Sequence, residues 1–465
     1  YFNPDIPSDE RDLMKIGKEQ KLPIVKKVDE DRVSFTIAEP FAPFLRTMGG
    51  MSILPAHKLR PTITEKDKNG KPIFLSTWGL NTPPEELVSN GLFILESYTP
   101  GERLVFKKNP YYWRKDAQGK QQPYIDRVVW QIVESNDTSL VQFRSGGLDS
   151  YAVTPDFFSL IKKEEKKGKY TVYNGGSQSG TTFVGFNLNQ GERNGKPLVD
   201  PVKSRWFNNV KFRQAIAYGI DRQRMINNIY RGLGAPQDSP ISVSSPYFLS
   251  RAQGINSYDY NLQKSKQLFA EIGFKYNDQN KLVDDRDNRV RFGLMTNSGN
   301  KIREAIGTQI KQDLLRLGIE VDFTPIAWSL ITDRLSNSLS WDTIILGFGG
   351  GVEPHYNVNL WAVDGSSHLF NAQPEPGKPA IQGRQIADWE KQIHELYIKG
   401  SQELDEKKRR EIYIETQKLT QENIPFIYLV NPLSLAAVKD RVKGIKFSSL
   451  SGAFWNMHEL TITAE

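Results

Sequence analysis

With 465 residues, 38% of them hydrophobic and 25% charged, the chain is too long for one core of ordinary size, and its composition excludes a disordered or membrane-embedded polypeptide. The formal net charge of +7 is spread along the chain rather than gathered into an arm, which argues against a nucleic-acid partner. The absence of cysteine removes disulfides, thiolate metal sites and cysteine nucleophiles, and leaves the compartment open.

Residues 1–85 alternate short strands with polar turns. Asp29-Glu30-Asp31 leads into a period-two strand over Arg32–Ile37, Pro40–Leu45 begins a short helix that ends at Gly49-Gly50, and Ile53-Leu54-Pro55-Ala56-His57 opens the next helix. His57 beside a proline is read as a helix-starting residue before it is read as a ligand. Between 86 and 186, Gly91–Tyr98, the turn Pro100-Gly101-Glu102 and Leu104–Lys107 read as a hairpin. Lys108-Asn109-Pro110-Tyr111-Tyr112-Trp113 and Tyr124–Trp130 follow. The aromatics at 111–113 suggest a stacking platform, but packing on the hairpin accounts for them. Asp137–Gly146 reads as a helix with Leu140 and Phe143 on one face.

Thr182–Asn189 alternates large apolar with small or polar residues, as a half-buried strand does, and stops in a Gly/Asn/Gln-rich loop. Beyond the loop, Phe212, Ala215, Ile216 and Gly219 share a helical face; Gly219 ends that helix and Asp221 caps the next. Val290–Met295, the amphipathic helix Lys301–Leu317 and Ile319–Phe323 form a β-α-β unit, which requires parallel pairing in an α/β body. Trp341–Phe348 is a further apolar strand. Helices over about 384–398 and 404–423 precede the strand Pro425–Val430.

Chemistry-bearing motifs are sparse. The five histidines, His57, His355, His368, His394 and His458, form no paired metal spacing, and the run Gly347-Phe348-Gly349-Gly350-Gly351 lacks the Lys-Ser/Thr of a phosphate loop. Gly176–Gly180 has no serine at the centre of a nucleophile elbow, and Asp284–Asn288 fails the spacing of a calcium loop. No catalytic residue, metal site or cofactor is expected. The notable feature is placement: Phe348, Gly349, Gly350 and Gly351, then Glu353, His355, Tyr356 and Trp361, put bare backbone beside aromatics at a strand's C-terminal edge, where open α/β folds seat ligands.

Several of these phrases, in this order, resemble the extracellular solute-binding proteins, family 5, which serve peptide and nickel ABC importers. They are the "pfapfl" helix at Pro40–Leu45, the Pro55-Ala56-His57 segment, Asn109-Pro110-Tyr111-Tyr112-Trp113 with Tyr124–Trp130, the Gly146–Asp149 turn, and Asn209–Arg222 closed by Gly232-Leu233-Gly234-Ala235-Pro236. The resemblance implies an α/β periplasmic-binding-protein type II fold of the large, three-segment (cluster C) kind, with two lobes around a ligand cleft. It places residues 1–85 and 86–186 in lobe I, 187–430 in lobe II, and 431–465 back in lobe I. It also implies that the chain starts inside lobe I, behind a leader and a first segment, with an extracytoplasmic and optionally lipid-anchored location. The implied function is capture of a peptide or peptide-like solute by a monomer and its delivery to ABC-importer permease subunits. A peptide-binding chaperone or sensor on the same fold, or a hydrolase, are the alternatives. The ligand-binding residues implied are Asn187, Asn189, Phe348, Gly349, Gly350, Gly351, Glu353, His355, Tyr356 and Trp361; for Asn187 and Asn189 a purely structural turn is the competing reading. In one respect the chain departs from the family phrase. Peptide-binding relatives place an acid just before the "y.dP" portion of their "GW.aDy.dP" phrase, able to pair with a peptide's α-amino group, whereas glycine stands at 349–351 here and Glu353 is displaced towards Pro354. An N-terminally blocked, modified or non-peptide ligand is therefore expected to be tolerated.

Overall fold

The computed structural model describes residues 2–6, 8, 10–374 and 378–463; Tyr1 and Pro7 of the opening segment lie outside them. The chain divides into two compact units, one of residues 1–8, 50–176 and 433–465, the other of residues 9–49 and 177–432.

In the first unit, β1 (Phe93–Thr99), β2 (Arg103–Lys108) and β3 (Arg127–Gln131) form an antiparallel sheet in that order, with Phe93 opposite Lys108 and Arg103 opposite Gln131. Gly101 takes φ +75° in the turn between β1 and β2, a conformation that favours glycine. Helix α1 (Asn136–Arg144) starts where the Ser135 hydroxyl accepts from the Thr138 amide at 3.1 Å. It buries Leu140 and Phe143, and the Phe143 ring packs on Tyr151 and Tyr170. The end of the chain returns to this unit, pairing Ala436–Val438 with Ser150–Ala152.

The second unit is built on a five-stranded sheet. Its strands are β4 (Thr181–Phe186), β5 (Arg291–Asn297), β6 (Glu320–Ile326), β7 (Thr343–Phe348) and β8 (Phe426–Tyr428), in the order β6-β5-β7-β4-β8. The expected β-α-β unit is present: β5 and β6 run parallel, Arg291 opposite Glu320 through Asn297 opposite Ile326. Between them, α4 (Lys301–Leu315) buries Ile306, Ile310 and Leu314. Strand β4 is antiparallel to both β7 and β8, so the sheet is mixed. Before α4 in the chain, α2 (Val210–Gly219) is followed by α3 (Arg222–Asn228), whose first turn is capped by the Asp221 carboxylate accepting from the Arg224 amide at 2.9 Å. Gly219 is required by packing: a Cβ there would lie 2.6 Å from Leu317 Cδ1. Helices α5 (Asp388–Gln402) and α6 (Glu406–Asn423) complete the unit.

Residues 9–49 belong to this second unit, where the sequence reading set them beside 50–85. Buried apolar side chains hold them there, Met14, Ile16 and Phe41 among them, together with a bond from the Ala42 amide to the Ser401 carbonyl at 2.7 Å. No helix among the described residues is long and apolar enough to cross a membrane.

Candidate functional site

The segment after β7 is fixed by what surrounds each residue. Phe348 ends the strand opposite Thr181 and packs its ring on Phe183 at 5.2 Å between centroids. The three glycines differ from one another. Gly349 has open space around its Cα, whereas a Cβ on Gly350 would sit 1.6 Å from the Ser179 carbonyl oxygen. Gly350 is glycine because the backbone of 179–180 passes against it, so the loop is packed at its middle and bare only at its start.

Phe348, Gly349, Gly350, Gly351 and Trp361 line one small notch with Ile241, and no side chain of its wall is charged. Its volume is about 10 Å³, the room of a single water molecule. Trp361 reaches it from the core: 2% exposed, its ring packs on Phe370, Tyr397 and Phe426.

Glu353 and His355 turn away from that notch. The Glu353 carboxylate is 1% exposed; Oε1 accepts from Arg409 Nη2 at 2.6 Å and from the His355 amide at 3.1 Å, and Oε2 accepts from Arg409 Nη1 at 3.1 Å and Arg46 Nη1 at 3.2 Å. Burial, the largest single influence, works against the Arg409 charge, and the hydrogen bond to Glu353 together with the electrostatic influence of Tyr413, Glu353 and Tyr247 outweighs it, leaving the guanidinium pKa raised. Arg409 is also seated between the Tyr247 and Tyr413 rings. Every oxygen of Glu353 is thus already used, which leaves no free carboxylate for a ligand's ammonium.

His355 meets the Leu13 carbonyl through Nε2 at 3.1 Å and the edge of Phe41 at 5.1 Å. Burial pushes its pKa down to about 4, so the ring is neutral at pH 7 and Nε2 carries the proton donated to Leu13. Tyr356, next in the chain, is exposed.

Asn187 and Asn189 serve the turn that ends β4. Asn187 Nδ2 donates to the Leu339 and Trp341 carbonyls, both at 3.0 Å, while its Oδ1 accepts from the Asn189 amide at 3.2 Å. Asn189 Nδ2 donates to the Ala372 carbonyl at 2.7 Å and its Oδ1 accepts from the Gly191 amide at 2.9 Å. These bonds stop the strand at Phe186, three residues before the end that alternation indicates.

The ten residues named from the sequence therefore fall into four sets. Phe348, Gly349, Gly350, Gly351 and Trp361 come together around one notch; Glu353 and His355 anchor the segment from behind; Asn187 and Asn189 shape a turn, and Tyr356 faces solvent. Among the described residues no group of three or more His, Cys, Asp or Glu side chains is placed to hold a metal ion.

Comparison with known proteins gives a consistent likeness. Residues 1–368 match the family model of bacterial extracellular solute-binding proteins, family 5 Middle. A probable ABC transporter-binding protein of Deinococcus radiodurans is 29% identical over 95% of this chain and 74% of its own length. Among solved structures, the oligopeptide-binding protein AppA of Bacillus subtilis in complex with a nonapeptide superposes with a TM-score of 0.75 at 20% identity, over 99% of this chain and 81% of that one. The periplasmic binding protein MelB of Agrobacterium fabrum in complex with stachyose gives 0.77 at 20% identity, over 95% and 67%. At such identities the superpositions establish a shared fold.

Proposed function

The chain belongs to the bacterial extracellular solute-binding proteins, family 5, and on that premise we propose that it captures a peptide or peptide-like solute outside the cytoplasm and delivers it to an ABC importer. The observation that carries this reading is the family match across residues 1–368, joined to the fold shared with a nonapeptide-bound relative. The family is one of binding proteins, so the work asked of the site is recognition and release.

Within the second unit, the notch at Phe348–Gly351 and Trp361 is the part of the predicted site suited to touch a ligand. Its neutral wall takes a small uncharged group. Glu353 and His355 hold the loop in place for that contact. A ligand with a blocked or absent α-amino group fits this arrangement, because the one acid in the segment is already bound on both oxygens. The chain acts as a monomer that docks on permease subunits.

Thermal shift of the full chain against N-acetylated peptides of two to nine residues, with stachyose as a comparator, tests the reading. A peptide present at about 100 times its Kd stabilises the folded chain by about 2.7 kcal/mol and raises the melting temperature. A shift with the oligosaccharide and none with any peptide would replace the proposed substrate class.

A further inference from the structure

Strand β7 has the glycine notch at its far end, beyond Phe348, and a wider groove at its near end, where Trp341 and Asp342 lead into Thr343. We propose that this groove is a second binding site, for a free amino acid with an apolar side chain, held by Arg334 at its carboxylate and by Asp333 at its ammonium. The site lies wholly in the second unit and stands whether or not the notch takes a peptide.

The groove holds about 570 Å³, within the range of small-molecule sites. Met295 of β5 and Trp341 are buried apolar parts of its wall, and Leu330, 42% exposed, stands at its rim. Arg334 is the one cationic side chain in the wall among the described residues. Its Nη1 donates to the Met295 sulfur at 3.8 Å, which sets the guanidinium against the apolar surface. Nε and Nη2, the two donors along the other edge, have no partner and are not shut off from solvent, and no carboxylate pairs with the group. The same edge of Arg291 grips a carboxylate: its Nε and Nη2 donate to the two oxygens of Asp322 at 2.8 and 2.9 Å. In Arg334 that fork is left for a ligand.

The carboxylates of the wall divide into two kinds. Asp322 is neutralised by Arg291, and Asp342 Oδ2 accepts from Lys203 Nζ at 2.7 Å and from the Gly293 amide at 2.8 Å. Asp200 and Asp333 have no cation among the described residues. Asp200 Oδ1 accepts from the Val202 and Lys203 amides at 3.0 and 3.2 Å, and Asp333 Oδ1 accepts from Asn337 Nδ2 at 3.2 Å. Asp333 and Arg334 are consecutive, so an uncompensated carboxylate and an uncompensated guanidinium share one wall. A ligand with a single charge meets a like charge there whichever sign it carries, whereas a zwitterion meets an opposite charge at each end. The backbone that presents the pair is irregular. A helix over Trp328–Thr332 passes into a π-helical turn, Asp333–Ser338, and stops at the buried Leu339 with φ +56°, a conformation uncommon outside glycine. Widened turns of this kind occur frequently at functional sites.

Calorimetry on the full chain with leucine, N-acetylleucine, leucinamide and glycine tests the assignment. Leucine is expected to bind with a Kd of about 1 mM or tighter, and blocking either end or removing the side chain is expected to weaken binding by about tenfold. Arg334→Gln is expected to bring leucine and leucinamide to the same affinity, and Asp333→Asn to do the same for leucine and N-acetylleucine. Both positions are partly exposed, so neither change leaves a buried charge unpaired. Thr324→Trp, at an exposed position of β6 in the wall, fills the groove and is expected to abolish leucine binding. The proposal is overturned if leucine does not bind, if it binds Thr324→Trp with full affinity, or if its advantage over leucinamide persists in Arg334→Gln. Each of these results leaves the reading of the notch and of the family untouched.

Discussion

Arg409 meets Glu353 end-on, Nη2 to Oε1 at 2.6 Å and Nη1 to Oε2 at 3.1 Å, with both side chains shut away from solvent. Removing one member of such a pair leaves the other as an uncompensated buried charge, which costs roughly 3–5 kcal/mol. Glu353→Gln is therefore expected to lower the melting temperature by several degrees while leaving the ratio of affinities for free-amine and N-acetylated peptides unchanged. Calorimetric unfolding and a matched peptide titration measure the two effects separately. A tenfold fall in the ratio would assign the carboxylate to the ligand instead.

His355 makes stability depend on pH. Its folded pKa, near 4, lies below the ordinary value of 6.5, because burial opposes the charged ring. Between those two values the unfolded chain binds a proton that the folded chain does not. Stability contributed by the neutral ring is present above pH 6.5 and falls as pH drops towards 4, by about 3 kcal/mol in all. Unfolding midpoints at pH 7, 5.5 and 4.5 should show that slope for the unaltered chain and a flatter one for His355→Gln. Equal slopes would mean that His355 is not the group responsible.

Gly350→Ala tests the close approach of two backbones. With the new Cβ 1.6 Å from the Ser179 oxygen, either the 349–351 loop or the 178–180 segment must move. A loss of about 1–3 kcal/mol is expected, whereas Gly349→Ala, with open space around it, should be nearly neutral. Chemical denaturation of the two variants side by side decides the point, and equal losses would contradict the packing described.

Asn187→Leu removes the donor to two carbonyls and the acceptor for the Asn189 amide at a site 2% exposed. The expected cost is about 2–4 kcal/mol, seen as a lower denaturant midpoint at unchanged slope. A variant as stable as the parent would contradict the structural role given to these bonds.

Periodicity made most of the scaffold legible. The hairpin at 93–108, the β-α-β unit around Lys301–Leu315 and the cap at Asp221 are all local patterns of alternation, helical spacing or capping. The attachment of residues 9–49 was hidden, because nothing in the vicinity of Phe41 announces His355 as its neighbour. Arg409 was hidden for a different reason. The long helix carries both signs of charge and reads as a solvated surface, yet Arg409, Tyr413, Thr416, Gln417 and Thr420 recur at helical spacing on its buried face. That spacing was a usable signal that one arginine points inward.

The anchoring of residues 9–49 has a consequence for the order in which the molecule can be made. Leu13, Phe41 and Arg46 leave the ribosome more than three hundred residues ahead of His355 and Glu353, and Arg409 comes later still. Until those partners emerge, an apolar ring and a guanidinium that end in a packed interface have nothing to pack against. Loop closure over such a separation is slow, and the early segment stays open to association with other chains in the meantime. The same contacts that hold the glycine loop from behind therefore make the segment from Leu13 to Arg46 depend on protection during synthesis.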